Sequence, residues 1–136
     1  GGHLVGMLMS TDWPAFAGLP PDAVRGGAGI SGLYDLEPIR LCYLNDVLGL
    51  TPEAARRHSP VHLVPGRAAP LLLAVGALEG PEYQRQTDDL AAAWRRHGVA
   101  CEVLDMPGLD HFSIIVQLAD ARTPLARALR RRMGLG

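Results

Sequence analysis

Leu71-Leu72-Leu73-Ala74-Val75 is an apolar run with no polar position to turn toward water, and it ends at Gly76. The run is strand length. An unbroken apolar strand belongs at the centre of a sheet covered on both faces, where neither side can be polar. Covering both faces of a parallel sheet requires helical crossovers, so this run predicts an α/β architecture.

The rest of the chain reads accordingly. Leu4, Val5, Leu8 and Met9 recur at helical spacing, predicting a helix that starts at or before Gly2 and stops near Ser10-Thr11-Asp12. Pro and Gly content predicts a loop from Pro14 to Asp22, and Val24 to Ser31 reads as a short strand weakened by glycines. Asp35 to Leu44 reads as a short helix, with Asn45-Asp46 leading into a turn. Thr51-Pro52-Glu53 is a strong helix start, with Thr as cap, Pro at the first position and an acid in the first turn. Pro81 to about His97 is amphipathic, with Tyr83, Thr87, Leu90, Ala91 and Trp94 on one face and Gly98 to end it. Val99 to Met106 is the next strand, an apolar helical pattern runs from Phe112 to Leu118, and Pro124 opens a last helix. The Arg130-Arg131-Arg132 run suits that helix's C-terminus better than a phosphate site.

The 136 residues suffice for one domain, and 48% hydrophobic with 20% charged residues fits a globular chain. A net charge of −1 gives no electrostatic case for nucleic acid. Cys42 and Cys101 stand in apolar surroundings far apart in sequence, as expected of thiols in a reducing, cytoplasmic compartment. No metal-type spacing is present, because Pro60 keeps His58 and His62 from sharing a helical face. No stretch reads as a signal peptide or membrane span.

Two loops carry chemistry. Pro107-Gly108-Leu109-Asp110-His111-Phe112-Ser113 leaves a strand and presents His111, the side-chain type best suited to act as a general base. Ala77-Leu78-Glu79-Gly80-Pro81 leaves the central strand and offers the Glu79 carboxylate at the matching place, with Glu82 as a second choice. The carboxyl ends of parallel strands are where α/β sheets build sites. The bland readings are a solvated loop histidine and a carboxylate stabilised by the dipole of the following helix. Gly27-Ala28-Gly29-Ile30-Ser31-Gly32 matches the dinucleotide fingerprint formally, yet no strong strand precedes it and Pro38 follows too closely for a long helix. Nor is Ser31 a nucleophile elbow, since Leu33 stands where a second glycine is required. Glycines that permit close packing explain this stretch better.

The chain begins Gly1-Gly2-His3-Leu4 without an initiator methionine, as if cut from something longer. If Gly1 is the last glycine of a G-x-S-x-G elbow, the serine lies two residues upstream. The order would then be serine, acid Glu79, base His111, as in α/β-hydrolases.

Taken in order, several pieces resemble the kynurenine formamidase-like esterases of the α/β-hydrolase superfamily. They are Gly1-Gly2-His3, Ser31 through Pro38, Asn45 through Leu50 with Ser59-Pro60, Val75 through Gln86, and Asp110-His111-Phe112-Ser113. The resemblance implies that residues 1–136 are the C-terminal part of a single α/β-hydrolase domain, with parallel strands and helices on both faces. It implies Glu79 as triad acid, where many relatives carry Asp, and His111 as base. The nucleophile and oxyanion loop would lie outside the chain, leaving it inactive alone. The expected substrate is a small ester or aryl formamide, with no metal, cofactor, nucleic acid or membrane involved. A homo-oligomer is allowed, but nothing in the sequence fixes one. The competing readings are a general carboxylesterase, a non-catalytic α/β module that binds a ligand or partner, and a nucleotide-binding half.

Overall fold

A computed structural model describes residues 1–66 and 69–135. The elements are α1 (Gly2–Met9), α2 (Trp13–Ala17), β1 (Gly27–Ile30), α3 (Glu37–Arg40), α4 (Asn45–Leu48), α5 (Pro52–Arg57), β2 (Leu71–Gly76), α6 (Pro81–Arg95), β3 (Cys101–Met106), α7 (Ser113–Val116) and α8 (Pro124–Arg132). Short 3₁₀ turns cover Pro60–His62 and Gln117–Ala119.

The strands are parallel and lie in the order β1-β2-β3. The apolar run forms the middle strand, and every residue of it is buried. Alternation along β2 sends its side chains into two cores. Leu71 and Leu73 pack with Met9 of α1 and with Leu90, Ala91 and Trp94 of α6. Ala74 joins Met106 of β3, Ile114 of α7 and Leu125 of α8 on the other face. Helices therefore cover both faces of a parallel sheet, and the chain is α/β.

Trp94 is fully buried, and its indole N–H donates to the Pro60 carbonyl at 3.0 Å. That bond satisfies its single polar atom, so Trp94 is a core residue. Gly98 turns the chain after α6 with φ +82°. Thr51 caps α5, accepting from Ala54 N–H at 3.1 Å. The terminal arginines do more than complement a dipole: Arg132 reaches Glu102 of β3 at 2.8 Å and Arg131 at 3.8 Å, tying α8 to the sheet edge.

Three local expectations are corrected. Within the supposed loop from Pro14, residues Trp13–Ala17 form α2, because Asp12 caps it through Ala15 N–H and Gly18 closes it in the left-handed region. The helix expected over Asp35–Leu44 is a single turn, Glu37–Arg40. Asn45-Asp46, expected to lead into a turn, opens the one-turn helix α4, which Gly49 closes. Such short pieces leave no periodicity to read.

Gly27 and Gly29 of the fingerprint lie inside β1 and Gly32 just beyond it, and no helix opens there until Glu37. A Cβ on Gly27 would run into Met9, and one on Gly29 or Gly32 into the buried Tyr34 ring. The same packing admits the start of α1, where a Cβ on Gly2 would lie only 2.6 Å from the Gly32 Cα. Burial pushes the Tyr34 phenol above its ordinary pKa, against a smaller opposing effect of a backbone hydrogen bond at Gly32.

Candidate active site

The loops after β2 and β3 leave the same end of the sheet and are laced together. Ala77 N–H donates to the Met106 carbonyl at 3.1 Å, and Leu78 N–H to the Leu109 carbonyl at 3.0 Å. These bonds bring Glu79 and His111 side by side. His111 Nδ1 lies 2.7 Å from Glu79 Oε2. The Glu79 side chain is 0% exposed and that of His111 47%. A sheltered carboxylate thus faces an imidazole that solvent or a small molecule can reach.

The other carboxylate oxygen is equally engaged. Glu79 Oε1 accepts from Gly76 N–H at 2.7 Å and from the Ser31 hydroxyl at 2.6 Å. None of these bonds goes to the first turn of α6, whose cap is Gly80 with no side-chain cap bond. The side chain faces the histidine and not the helix dipole. With Nδ1 occupied by the carboxylate, Nε2 is the ring nitrogen left to exchange a proton.

Glu82 is elsewhere. Its carboxylate binds Arg85 at 2.6 Å and accepts from Gln86 Nε2 at 2.9 Å. The Arg85 guanidinium, with a smaller effect from Gln86, holds its pKa below the usual value. Arg85 also meets Asp89 at 2.7 Å and Asp35 at 3.3 Å. Glu82 therefore belongs to a surface ion-pair group, and the second choice of acid is not the residue beside His111.

The histidine loop is held from below. Asp110 Oδ1 accepts from Ser113 N–H at 2.7 Å, from the Ser113 hydroxyl at 2.8 Å and from Phe112 N–H at 3.0 Å. These donors, the Ser113 N–H first, lower the Asp110 pKa. The Tyr83 ring lies 5.3 Å from the imidazole and the Phe112 ring 5.9 Å, centroid to centroid.

His111 opens onto a cavity of about 650 Å³, bounded also by Gly1 and Gly2 at the start of α1, by Ser31, and by Tyr83 and Phe112. His3, another wall residue, has its Nε2 2.7 Å from the His58 carbonyl. The serines inside the chain that approach the pair are otherwise bound. The Ser31 hydroxyl donates to the carboxylate and that of Ser113 to Asp110. Chemically, the arrangement can accept a proton at His111 from a group in the cavity while Glu79 fixes the ring's tautomer.

Three contributors carry no signal of their role in the sequence. Ser31 sits in a glycine-rich stretch that reads as close packing, and Gly76 reads as a strand end. Gln86 reads as an ordinary polar position on a helix, yet it is buried and its Oε1 accepts from Tyr34 N–H at 2.6 Å and Asp35 N–H at 2.8 Å. Helical period gives no warning of a polar group that satisfies a distant loop.

No protein-family model matches the chain. Individual relatives do. A kynurenine formamidase of Salmo salar is 36% identical over 140 residues, covering 98% of this chain and 47% of that protein. A kynurenine formamidase of Danio rerio is 34% identical over 139 residues, with the same coverage of each. The chain spans about half the length of the curated relatives it matches. Among solved structures, a provisionally assigned thioesterase from Silicibacter superposes with a TM-score of 0.80 at 27% identity, covering 93% of this chain and 46% of that one. By sequence, then, the chain is similar to about half the length of each kynurenine formamidase, and by fold to about half of a structure named as a thioesterase.

Proposed function

We propose that this chain supplies the acid and base of a serine-type hydrolase that cleaves a small ester or an aryl formamide. Glu79 is the acid and His111 the base. The observation that carries the reading is the 2.7 Å contact between His111 Nδ1 and a fully shielded Glu79 carboxylate, at the ends of adjacent parallel strands. In this reading residues 1–136 are the C-terminal part of one hydrolase domain. The serine and the oxyanion donors come from outside the chain, beside the start of α1. Serine adds to the carbonyl as His111 takes its proton, and the imidazolium, steadied by Glu79, returns the proton to the departing amine or alkoxide. A formamide nitrogen is a poor leaving group until protonated, which is the heavier demand on His111. The names of the relatives favour the formamide, and the name of the structural neighbour keeps esters and thioesters in view.

The test uses the full-length protein with N-formylkynurenine and with 4-nitrophenyl acetate. The wild type should turn over both, and His111→Ala should lose about 10³-fold or more in kcat on each. Ester cleavage without formamide turnover would leave a general carboxylesterase. Turnover by the 136 residues alone at the full-length rate would refute an external serine.

A further inference from the structure

Ser31 is the one non-glycine residue with positive φ among the described residues, at +50°. It follows the last residue of β1, and its N–H still donates to the Ala74 carbonyl of β2 at 2.8 Å. The kink comes just beyond that bond, at the lip of the cavity that His111 shares. An L-residue adopts this backbone at a cost that glycine does not bear. A side chain kept there against that preference needs a use, and it has one: the hydroxyl donates to Glu79 Oε1 at 2.6 Å.

The geometry points to Ser31 as a positioning residue that locks the orientation of the Glu79 carboxylate toward His111. This inference rests on the reading of Glu79 and His111 as acid and base. A carboxylate can rotate about its terminal bond and exchange its oxygens. Here Oε1 is fixed by two donors, Gly76 N–H from the same turn and Ser31 from the neighbouring strand, which leaves Oε2 for Nδ1. Gly76 is only three residues from Glu79 and moves with it, whereas Ser31 anchors the carboxylate to β1. The segments at the ends of all three strands then converge on one carboxylate. The other titratable groups around the pair are His3, engaged with the His58 carbonyl, Tyr83, and Asp110, held by Ser113. None of them donates a hydrogen bond to Glu79.

The test compares Ser31→Gly and Ser31→Ala with Glu79→Gln in the full-length protein. Glycine removes the hydroxyl and relieves the backbone, while alanine removes it and leaves the strain, so a hydroxyl effect is common to both. Two readouts are used: the proton resonance of the His111 Nδ1–H, and kcat and KM for 4-nitrophenyl acetate. The wild type should show a downfield Nδ1–H signal that Glu79→Gln abolishes. Both Ser31 variants should move it upfield or broaden it, and should lower kcat about tenfold with KM little changed. Ser31→Gly should do so without loss of thermal stability, which separates positioning from folding. A wild-type signal and kcat retained in Ser31→Gly would overturn the role of Ser31 and leave the acid–base pair intact. A wild type lacking the signal, or keeping it in Glu79→Gln, would overturn the pair and this role together.

Discussion

A side chain at Gly76 would collide with the Leu109 carbonyl oxygen, so the turns after β2 and β3 meet only because residue 76 has none. The same imagined Cβ would lie 3.1 Å from Glu79 Oε1. One missing methyl group therefore lets the Glu79 loop rest on the His111 loop.

Gly76→Ala is accordingly expected to lower stability by about 1–3 kcal/mol, the usual cost of forcing a methyl into packed backbone. It should also lengthen the Glu79–His111 contact and cut kcat. Chemical unfolding and steady-state rates on the same preparation check this. An unchanged midpoint would mean that the loops can part without penalty.

At Glu79 the length of the side chain is the variable. Glu79→Gln keeps the volume but turns an amide N–H₂ toward one of three donors, and should cost about 10³–10⁴-fold in kcat. Glu79→Asp keeps the charge but falls a methylene short of Nδ1, and about a hundredfold loss is expected from the misplacement. Should the aspartate variant match the wild type, the reach seen here would not be what sets the rate.

Asp110 gives a pH dependence with a definite sign. Its carboxyl is held below the ordinary value of 3.8, chiefly by the Ser113 N–H. A depressed carboxyl stabilises its turn fully above the unfolded value, and that contribution disappears as pH falls through the lower folded value. The turn carrying His111 should thus be intact at neutral pH and loosen only below about pH 4. Amide shifts of Phe112 and Ser113 followed through an acid titration report it, and Asp110→Asn should erase the step. An inflection above the ordinary aspartate value would contradict the hydrogen bonding described.

Gln86→Leu tests the buried polar link between α6 and the segment after β1. The change fills the space but leaves the N–H groups of Tyr34 and Asp35 without their acceptor. A loss of roughly 2–4 kcal/mol follows from two unsatisfied donors. Urea unfolding measures the total, and faster hydrogen exchange at Tyr34 would localise it. Wild-type exchange there would show that water replaces the amide at little cost.

The class of fold is legible in the chain alone, because burial leaves a repeating mark on it. Leu71–Val75 has no polar residue and became the covered middle strand; Leu90, Ala91 and Trp94 recur at helical period and became the face of α6 that packs on it. The chain also marks two loops at strand ends as the place where chemistry could gather, since His111 and Glu79 each follow a readable strand. Where elements were a single turn long, as at α2, α3 and α4, period failed, and caps such as Asp12 and Gly18 decided the outcome. Which carboxylate meets the imidazole depends on contacts between distant segments. Glu79 and Glu82 are three residues apart and chemically alike, but Arg85 and Gln86 hold Glu82 on the helix surface while Gly76 and Ser31 hold Glu79 inward. Ser31 lies far from both in sequence, and its left-handed backbone leaves no pattern in composition or period. Hydrogen bonds across strands depend on register and loop path, which no local spacing encodes.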